Sequence, residues 1–108
     1  MTDPDPYHTL PATDRDHLLA AAWYAADHDT LPAGSTVGDA VGRLTGDTPT
    51  RHTTARSLTR LVDAGLVERV PGEPSGAAKG VRVTAEGFRA LGRGAARLDA
   101  AATVEADV

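Results

Sequence analysis

The chain has no cysteine, no isoleucine, a single lysine and few aromatic residues: one phenylalanine, one tryptophan and two tyrosines. Without cysteine there is no disulfide framework, thiolate zinc site or thiol redox sensor. No apolar run approaches the roughly 18 residues of a membrane-spanning helix, and the first residues are acidic and proline-rich, unlike a signal peptide. We therefore expect a cytoplasmic protein with no membrane partner.

Enzymatic and metal-binding motifs are missing as well. The four histidines show neither an H-E-x-x-H motif nor tight metal-ligand spacing, and no P-loop, G-x-S-x-G or paired-carboxylate pattern is present. With 108 residues the chain amounts to one domain, and 20 of its hydrophobic residues are alanine, so the core must be small. We expect no enzyme activity, no metal and no cofactor.

Charge is segregated along the chain although the net charge is −4. Residues 1–50 contain eight aspartates and two arginines, whereas residues 51–93 contain eight basic and four acidic residues. Positive charge is thus concentrated in one stretch that could meet nucleic acid. The excess of aspartate and arginine over glutamate and lysine is typical of a halophile, whose protein would work among the inorganic ions of a high-salt cytoplasm, or of a GC-rich genome such as that of an actinobacterium.

Two helices are predicted in the first half of the chain. Residues 1–12 have no periodicity and are expected to form a flexible arm, which Leu10 could anchor. Thr13 has capping-box spacing to Asp16 and precedes a helix over about 14–27, in which Trp23 is expected to be a core aromatic. A second capping signal at Thr36 predicts a short helix that ends near Gly46.

The second half predicts a third helix, a hairpin and a fourth helix. Helix three spans about 50–64 and is capped by Asp47 or Thr48, with Pro49 in its first turn, or by Thr50; Gly65 ends it. Two short strands follow, 66–70 and 81–83, joined by a Gly- and Pro-rich loop. Thr84 caps helix four, 85–102, and residues 103–108 are expected to fray. The predicted buried stripe of helix three consists of Ala55, Leu58, Leu61 and Val62.

The opposite face of helix three has the chemistry of a DNA-reading surface. Short hydroxyl side chains allow a helix to approach the major groove, and arginine can pair with guanine or phosphate. An ordinary solvated helix face would also carry such residues. The candidate DNA-contacting residues on this helix are Thr50, Arg51, His52, Thr53, Arg56, Ser57 and Arg60.

The order helix, helix, helix, hairpin, helix and two sequence strings point to one family. The string ARSLTRLVDAGLVERVPG, followed after a loop by GVRVTAEGFRALG, resembles the winged helix-turn-helix regulators of the MarR and PadR type over about residues 36–92. The resemblance implies a mainly α fold with a small β-hairpin, a winged helix (α-α-α-β-β-α) over 13–84. It also implies that the hairpin is a wing lying on the DNA backbone or minor groove, with Lys79 and Arg82 as contacts.

Helix four is expected to form a dimer interface. Its apolar residues are spaced 3, 4, 3 and 4 apart, as in a two-helix seam, and relatives of the MarR and PadR type dimerise through terminal helices. Two-fold symmetry would place two recognition helices one DNA turn apart. The predicted interface residues are Phe88, Leu91, Ala95, Leu98 and Ala102.

The sequence therefore favours a homodimeric, sequence-specific regulator of transcription that binds double-stranded DNA. Two alternatives remain: a winged helix used for protein–protein interaction without DNA binding, and a small structural dimer. An interaction module would require an exposed apolar patch on helix three, where this sequence places arginine, threonine and histidine.

Overall fold

The computed structural model describes residues 10–72, 76 and 79–92. Within them the chain forms helix α1 (Ala12–His28), helix α2 (Gly34–Thr45), helix α3 (Arg51–Asp63), strand β1 (Val67–Pro71) and strand β2 (Lys79–Val83). A further helix, α4, spans 85–92 of the described residues. This is the predicted order of a mainly helical, winged-helix-like domain with one antiparallel hairpin.

The starts of the first two helices differ from the prediction. Helix α1 begins at Ala12 after Pro11, and no side chain caps it, so the capping role expected for Thr13 is wrong. Helix α2 begins at Gly34 after Ala33, which places Thr36 inside the helix. Proline fixes φ near its helical value, so Pro11 starts α1 without a capping hydroxyl. Residue 12, assigned to the flexible arm, is helical, while Leu10 packs against the core as expected.

The ends of α3 agree with the sequence. The side chain of Thr50 accepts a hydrogen bond from the amide of Thr53 at 3.1 Å, which selects Thr50 over Asp47 or Thr48 as the cap. Gly65 has φ of 75°, and hydrogen bonds from Gly65 and Leu66 close the last turn of the helix. Left-handed backbone at this position favours glycine.

The hairpin is tied to the helices at its base. Val67 pairs with Val83 and Pro71 with Lys79, in a simple antiparallel register. Thr84 links three elements, since its amide bonds to the Leu66 carbonyl, its hydroxyl donates to the Gly65 carbonyl at 2.7 Å, and the same oxygen accepts from the Gly87 amide at 3.1 Å. The predicted cap of α4 is confirmed.

A small apolar core lies between the helices and the inner face of the hairpin. A Cβ atom at Gly87 would lie 2.2 Å from the Leu66 carbonyl oxygen, so only glycine allows α4 to approach the segment between α3 and β1 this closely. Trp23 is half-buried against the core, as predicted. The buried apolar residues are Leu18, Ala20, Ala21, Val37, Ala40, Val41, Leu58, Leu61, Leu66, Val67, Val81, Val83 and Ala90.

Candidate nucleic-acid interface

Helix α3 presents a basic surface that we call the outer face: Arg51, His52, Ala55, Arg56 and Thr59. All five residues are exposed. Arg51 and Arg56 form no ion pair with any residue in the described part of the chain. No acidic residue occurs between positions 48 and 62, so the two guanidinium groups meet no carboxylate on their own helix face.

The threonine hydroxyl groups of Thr50, Thr53 and Thr59, at the cap and along α3, are engaged in local hydrogen bonds. The Thr50 hydroxyl donates to the Thr53 hydroxyl oxygen at 3.0 Å while it caps the helix, and the Thr59 hydroxyl donates to the Ala55 carbonyl at 2.9 Å. The hydroxyl protons of Thr50 and Thr59 are therefore used within the helix, while their oxygens retain acceptor capacity toward solvent.

The predicted buried stripe of α3 is correct at Leu58 and Leu61 and wrong at two positions. Ala55 is exposed and Val62 is 37% exposed. Thr54 and Ser57 are buried in their place. The helix is therefore rotated so that two short hydroxyl side chains, rather than apolar ones, face α1.

The prediction that Ser57 lies on the DNA-facing side is wrong. The residue is fully buried, and its hydroxyl donates to the carboxylate of Asp14 and accepts a 3.4 Å hydrogen bond from Arg60. A side chain held in this way between two helices has no access to a DNA base.

Arg60 also differs from its predicted role as a free outward cation. Its Nε and Nη2 atoms donate to the two carboxylate oxygens of Asp14 at 2.7 and 2.8 Å, a forked pairing, although 44% of the Arg60 side chain remains exposed. Asp14 itself is fully buried. Burial alone would raise the pKa of Asp14, but the hydrogen bonds from Arg60 and Ser57 and the neighbouring positive charge outweigh it, so its pKa lies below the usual value. The hydrogen bond to Asp14 in turn raises the pKa of Arg60.

A second polar contact joins the same two helices. His17 is fully buried; its Nδ1 atom lies 2.7 Å from the Thr13 carbonyl oxygen, and its Nε2 atom lies 3.0 Å from the Thr54 hydroxyl. The carbonyl can only accept, so Nδ1 carries a proton. We call these five residues together the α1–α3 junction: Asp14, His17, Thr54, Ser57 and Arg60.

The sequence reasoning missed this junction. Asp14 and His17 lie three residues apart, so they share one face of α1, and His17 is next to the core residue Leu18. This spacing is a sequence signal that the two polar side chains are buried together. Their partners lie 37 to 46 residues later in the sequence, and no local pattern identifies them.

The two predicted DNA contacts on the hairpin, Lys79 and Arg82, have different surroundings. Lys79 is exposed at the first position of β2. Arg82 is about half exposed, but its Nε atom donates to Glu68 on the paired position of β1, so its charge is partly compensated. Arg69, on β1, is exposed as well.

Two of the five residues predicted for the dimer interface, Phe88 and Leu91, lie on the described part of α4. Phe88 is 56% exposed, whereas Leu91 is half-buried and packs against the core of its own domain. Leu91 therefore already has an intramolecular partner. Ala95, Leu98 and Ala102, and the fraying expected for 103–108, lie outside the described residues.

Among the residues that the structure describes, no group of three histidine, cysteine or carboxylate side chains could hold a metal ion. None of the described helices is long and apolar enough to cross a membrane.

Comparison with solved structures supports the fold. The chain is similar to a Rio2 kinase from Chaetomium thermophilum, crystallised in its ADP/Mg2+-phosphoaspartate complex, with a TM-score of 0.67 and 22% sequence identity. The match covers 92% of this chain and only 27% of the kinase chain. That kinase contains a winged-helix domain. No protein-family model and no curated protein matches the sequence. At this level of identity the similarity shows the fold alone: the chain is a winged-helix-like domain.

Proposed function

We propose that this chain is a sequence-specific DNA-binding regulator of transcription that acts as a homodimer. In this proposal α3 lies in the major groove of double-stranded DNA, and the hairpin contacts the backbone or minor groove, as the resemblance to the MarR and PadR type suggests. No catalytic step or cofactor forms part of it.

The observation that carries the proposal is the outer face of α3. Arg51 and Arg56 are exposed, and neither pairs with a described residue. An exposed arginine of this kind can form a bidentate contact with guanine, which contributes about 1 to 3 kcal/mol of discrimination against other bases. Arg60 and Arg82 are excluded as primary readers because each is paired within the domain.

The test is selection of binding sites from a pool of randomised duplexes, followed by affinity measurement on the enriched sequence. We expect Arg56→Ala to weaken binding roughly 5- to 150-fold, which corresponds to the loss of one bidentate base contact. The matched control is Arg43→Ala, because Arg43 is also an exposed helical arginine but lines the groove between α1 and α2. Equal affinities for both variants, or no enriched duplex at all, would contradict the proposal.

The homodimer is tested separately on α4. Phe88→Asp places a carboxylate in the proposed seam at a position that is exposed in the monomer, so the domain should stay folded while the dimer dissociates. Leu19→Asp is the control, since Leu19 is 44% exposed on α1. Sedimentation velocity should show monomers for the first variant and dimers for the second. Dimers in both cases would remove Phe88 from the interface.

One observation favours the alternative function, an interaction module without DNA binding. Ala55 and Val62 are exposed on α3 rather than buried in the core, so the helix surface is less polar than its sequence suggested. Under that alternative the duplex selection fails, and Val62→Asp, rather than Arg56→Ala, abolishes binding to a protein partner.

A further inference from the structure

The outer face of α3 contains a shallow, open depression of about 320 Å³ whose lining is largely apolar. Ala55, which the hydrophobic pattern predicted to be buried, is exposed in this depression. Thr59 is exposed as well and follows Ala55 by four residues, so the two side chains are neighbours on the helix surface. The depression is lined by His52, Ala55, Arg56, Thr59 and Arg60.

The polar end of Thr59 is turned toward the helix backbone. Its hydroxyl donates to the Ala55 carbonyl oxygen at 2.9 Å, which leaves the Cγ2 methyl group of this exposed side chain for contacts outside the helix. The Cβ methyl group of Ala55 lies one turn away on the same face. We call these two groups, Cγ2 of Thr59 and Cβ of Ala55, the methyl patch.

The methyl patch has one available cation beside it. Arg56 lines the same depression, is exposed and forms no ion pair with a described residue. Arg60 also lines it, but its guanidinium group is held by Asp14. A partner that contacts the patch and Arg56 together must therefore offer an apolar group next to hydrogen-bond acceptors.

The major groove of DNA offers this combination where a pyrimidine with a C5 methyl group lies beside guanine. The O6 and N7 atoms of guanine accept from arginine, and the C5 methyl group of thymine makes apolar contacts. Arg56 lies three residues before Thr59, a spacing that places their Cβ atoms about 5 to 6 Å apart. Consecutive bases of one strand are separated by roughly 3.4 Å. The patch and Arg56 can thus contact adjacent base pairs at the same time.

We propose that the methyl patch recognises the C5 methyl group of a pyrimidine in the base pair next to the guanine that Arg56 contacts. This inference rests on the proposed function and names the base-pair step that the chain reads. Thymine and 5-methylcytosine carry the same C5 methyl group. Ala55 and Thr59 are then specificity-determining residues that form no hydrogen bond to a base.

The source of the methyl group is identified by selection from two pools of randomised duplexes, one unmodified and one with 5-methylcytosine in place of cytosine. Enrichment of thymine beside guanine in the unmodified pool identifies thymine. Enrichment of a methylated pyrimidine beside guanine in the second pool alone identifies 5-methylcytosine. Enriched sites without either base beside guanine would overturn the proposal.

The methyl group itself is tested by replacements in the enriched duplex. Deoxyuridine in place of thymine, or cytosine in place of 5-methylcytosine, removes only the C5 methyl group. The replacement beside guanine should weaken binding of the full chain about fourfold, the effect of burying one methyl group. The same replacement in the flanking sequence is the control. Equal affinities with and without the methyl group would leave the patch to a protein partner and would overturn the inference.

Two substitutions of Thr59 separate its methyl group from its hydroxyl. Thr59→Ser keeps the hydroxyl that bonds to the Ala55 carbonyl and removes the methyl group, so the affinity difference between the methylated and unmethylated duplexes should shrink. Thr59→Val keeps the methyl group and should retain the difference. The full difference in Thr59→Ser, with its fold intact by circular dichroism, would refute the assignment.

The inference and the proposed function fail in distinguishable ways. If neither pool yields an enriched duplex, DNA binding and the methyl-patch inference fail together. If a duplex is enriched and Arg56→Ala weakens its binding, but no methyl replacement changes the affinity, only the methyl-patch inference fails.

Discussion

Two arginines one turn apart on α3 have opposite surroundings. Arg56, on the outer face, meets no described carboxylate, whereas Arg60, one turn later, is held by both oxygens of the buried Asp14. The difference is due to what α1 places opposite each position. Whether an arginine on a helix stabilises the fold or stays available at the surface thus depends on its tertiary neighbour. The spacing of arginines in the sequence does not distinguish the two cases.

The largest change in stability is expected for Asp14→Ala, which removes the partner of Arg60. Removal of the carboxylate leaves the buried Ser57 hydroxyl without its acceptor and detaches α1 from Arg60, which should lower the free energy of unfolding by about 1 to 3 kcal/mol. Urea denaturation measures this. Asp16→Ala, two residues along the same helix and more exposed, is the control. Equal losses in both variants would show that the junction contributes nothing specific.

Two arginine substitutions on α3 test directly whether Arg60 contributes to stability and Arg56 does not. Arg60→Ala should reduce stability, because it leaves the Asp14 carboxylate buried without its cation. Arg56→Ala should change the free energy of unfolding by less than about 0.5 kcal/mol, the usual range for an exposed site. Thermal unfolding of both variants is sufficient. A destabilised Arg56→Ala together with an unchanged Arg60→Ala would reverse the two assignments.

Lowering the pH should weaken the α1–α3 junction. The pKa of Asp14 is lower in the folded chain than in the unfolded chain, so the unfolded state takes up its proton first as the pH falls. The stabilisation is therefore fully present above about pH 4, the ordinary aspartate range, and is lost as the pH falls toward the folded pKa. Asp14→Asn should flatten this part of the stability profile between about pH 4 and pH 2. A profile identical to that of the wild type would count against Asp14 as the titrating group.

The smallest effect is expected for salt on DNA binding. With Arg60 and Arg82 paired internally, few cations remain for phosphate, and each neutralised phosphate contributes a slope near −0.9 in the logarithm of affinity against that of salt. If the aspartate-rich composition reflects a high-salt cytoplasm, affinity should weaken little, or even strengthen, between about 0.2 and 2 M KCl. A steep, continuous loss over this range would discard both the halophile interpretation and the small number of phosphate contacts.

The fold was predictable because its signals are local. The cap at Thr50, the left-handed Gly65 and the cap at Thr84 each depend on residues within one turn, and all three are confirmed. The wrong helix starts have the same origin: Thr13 and Thr36 have good capping spacing, but the chain enters its helices earlier, after Pro11 and Ala33.

The site was less predictable because its determinants are distant in sequence. Periodicity marked Ala55 and Val62 as buried since they are apolar, and Ser57 as exposed since it is polar. The polar side chains Asp14 and His17 of α1 reverse this rule by offering hydrogen-bond partners inside the domain. A hydrophobic pattern cannot reveal a helix interface that is partly polar.

The hairpin's contact with the segment before α2 has a consequence for solubility. The Val81 amide bonds to the Pro32 carbonyl at 2.8 Å, and Ala33 bridges to Gly80, so β2 has backbone partners on both sides. In the described part of the sheet, only β1 keeps a free edge. That edge is five residues long, carries the charged side chains of Glu68 and Arg69, and ends in Pro71, which has no amide hydrogen to donate. Another chain therefore finds little to pair with, and the domain can expose its wing without inviting strand-to-strand aggregation.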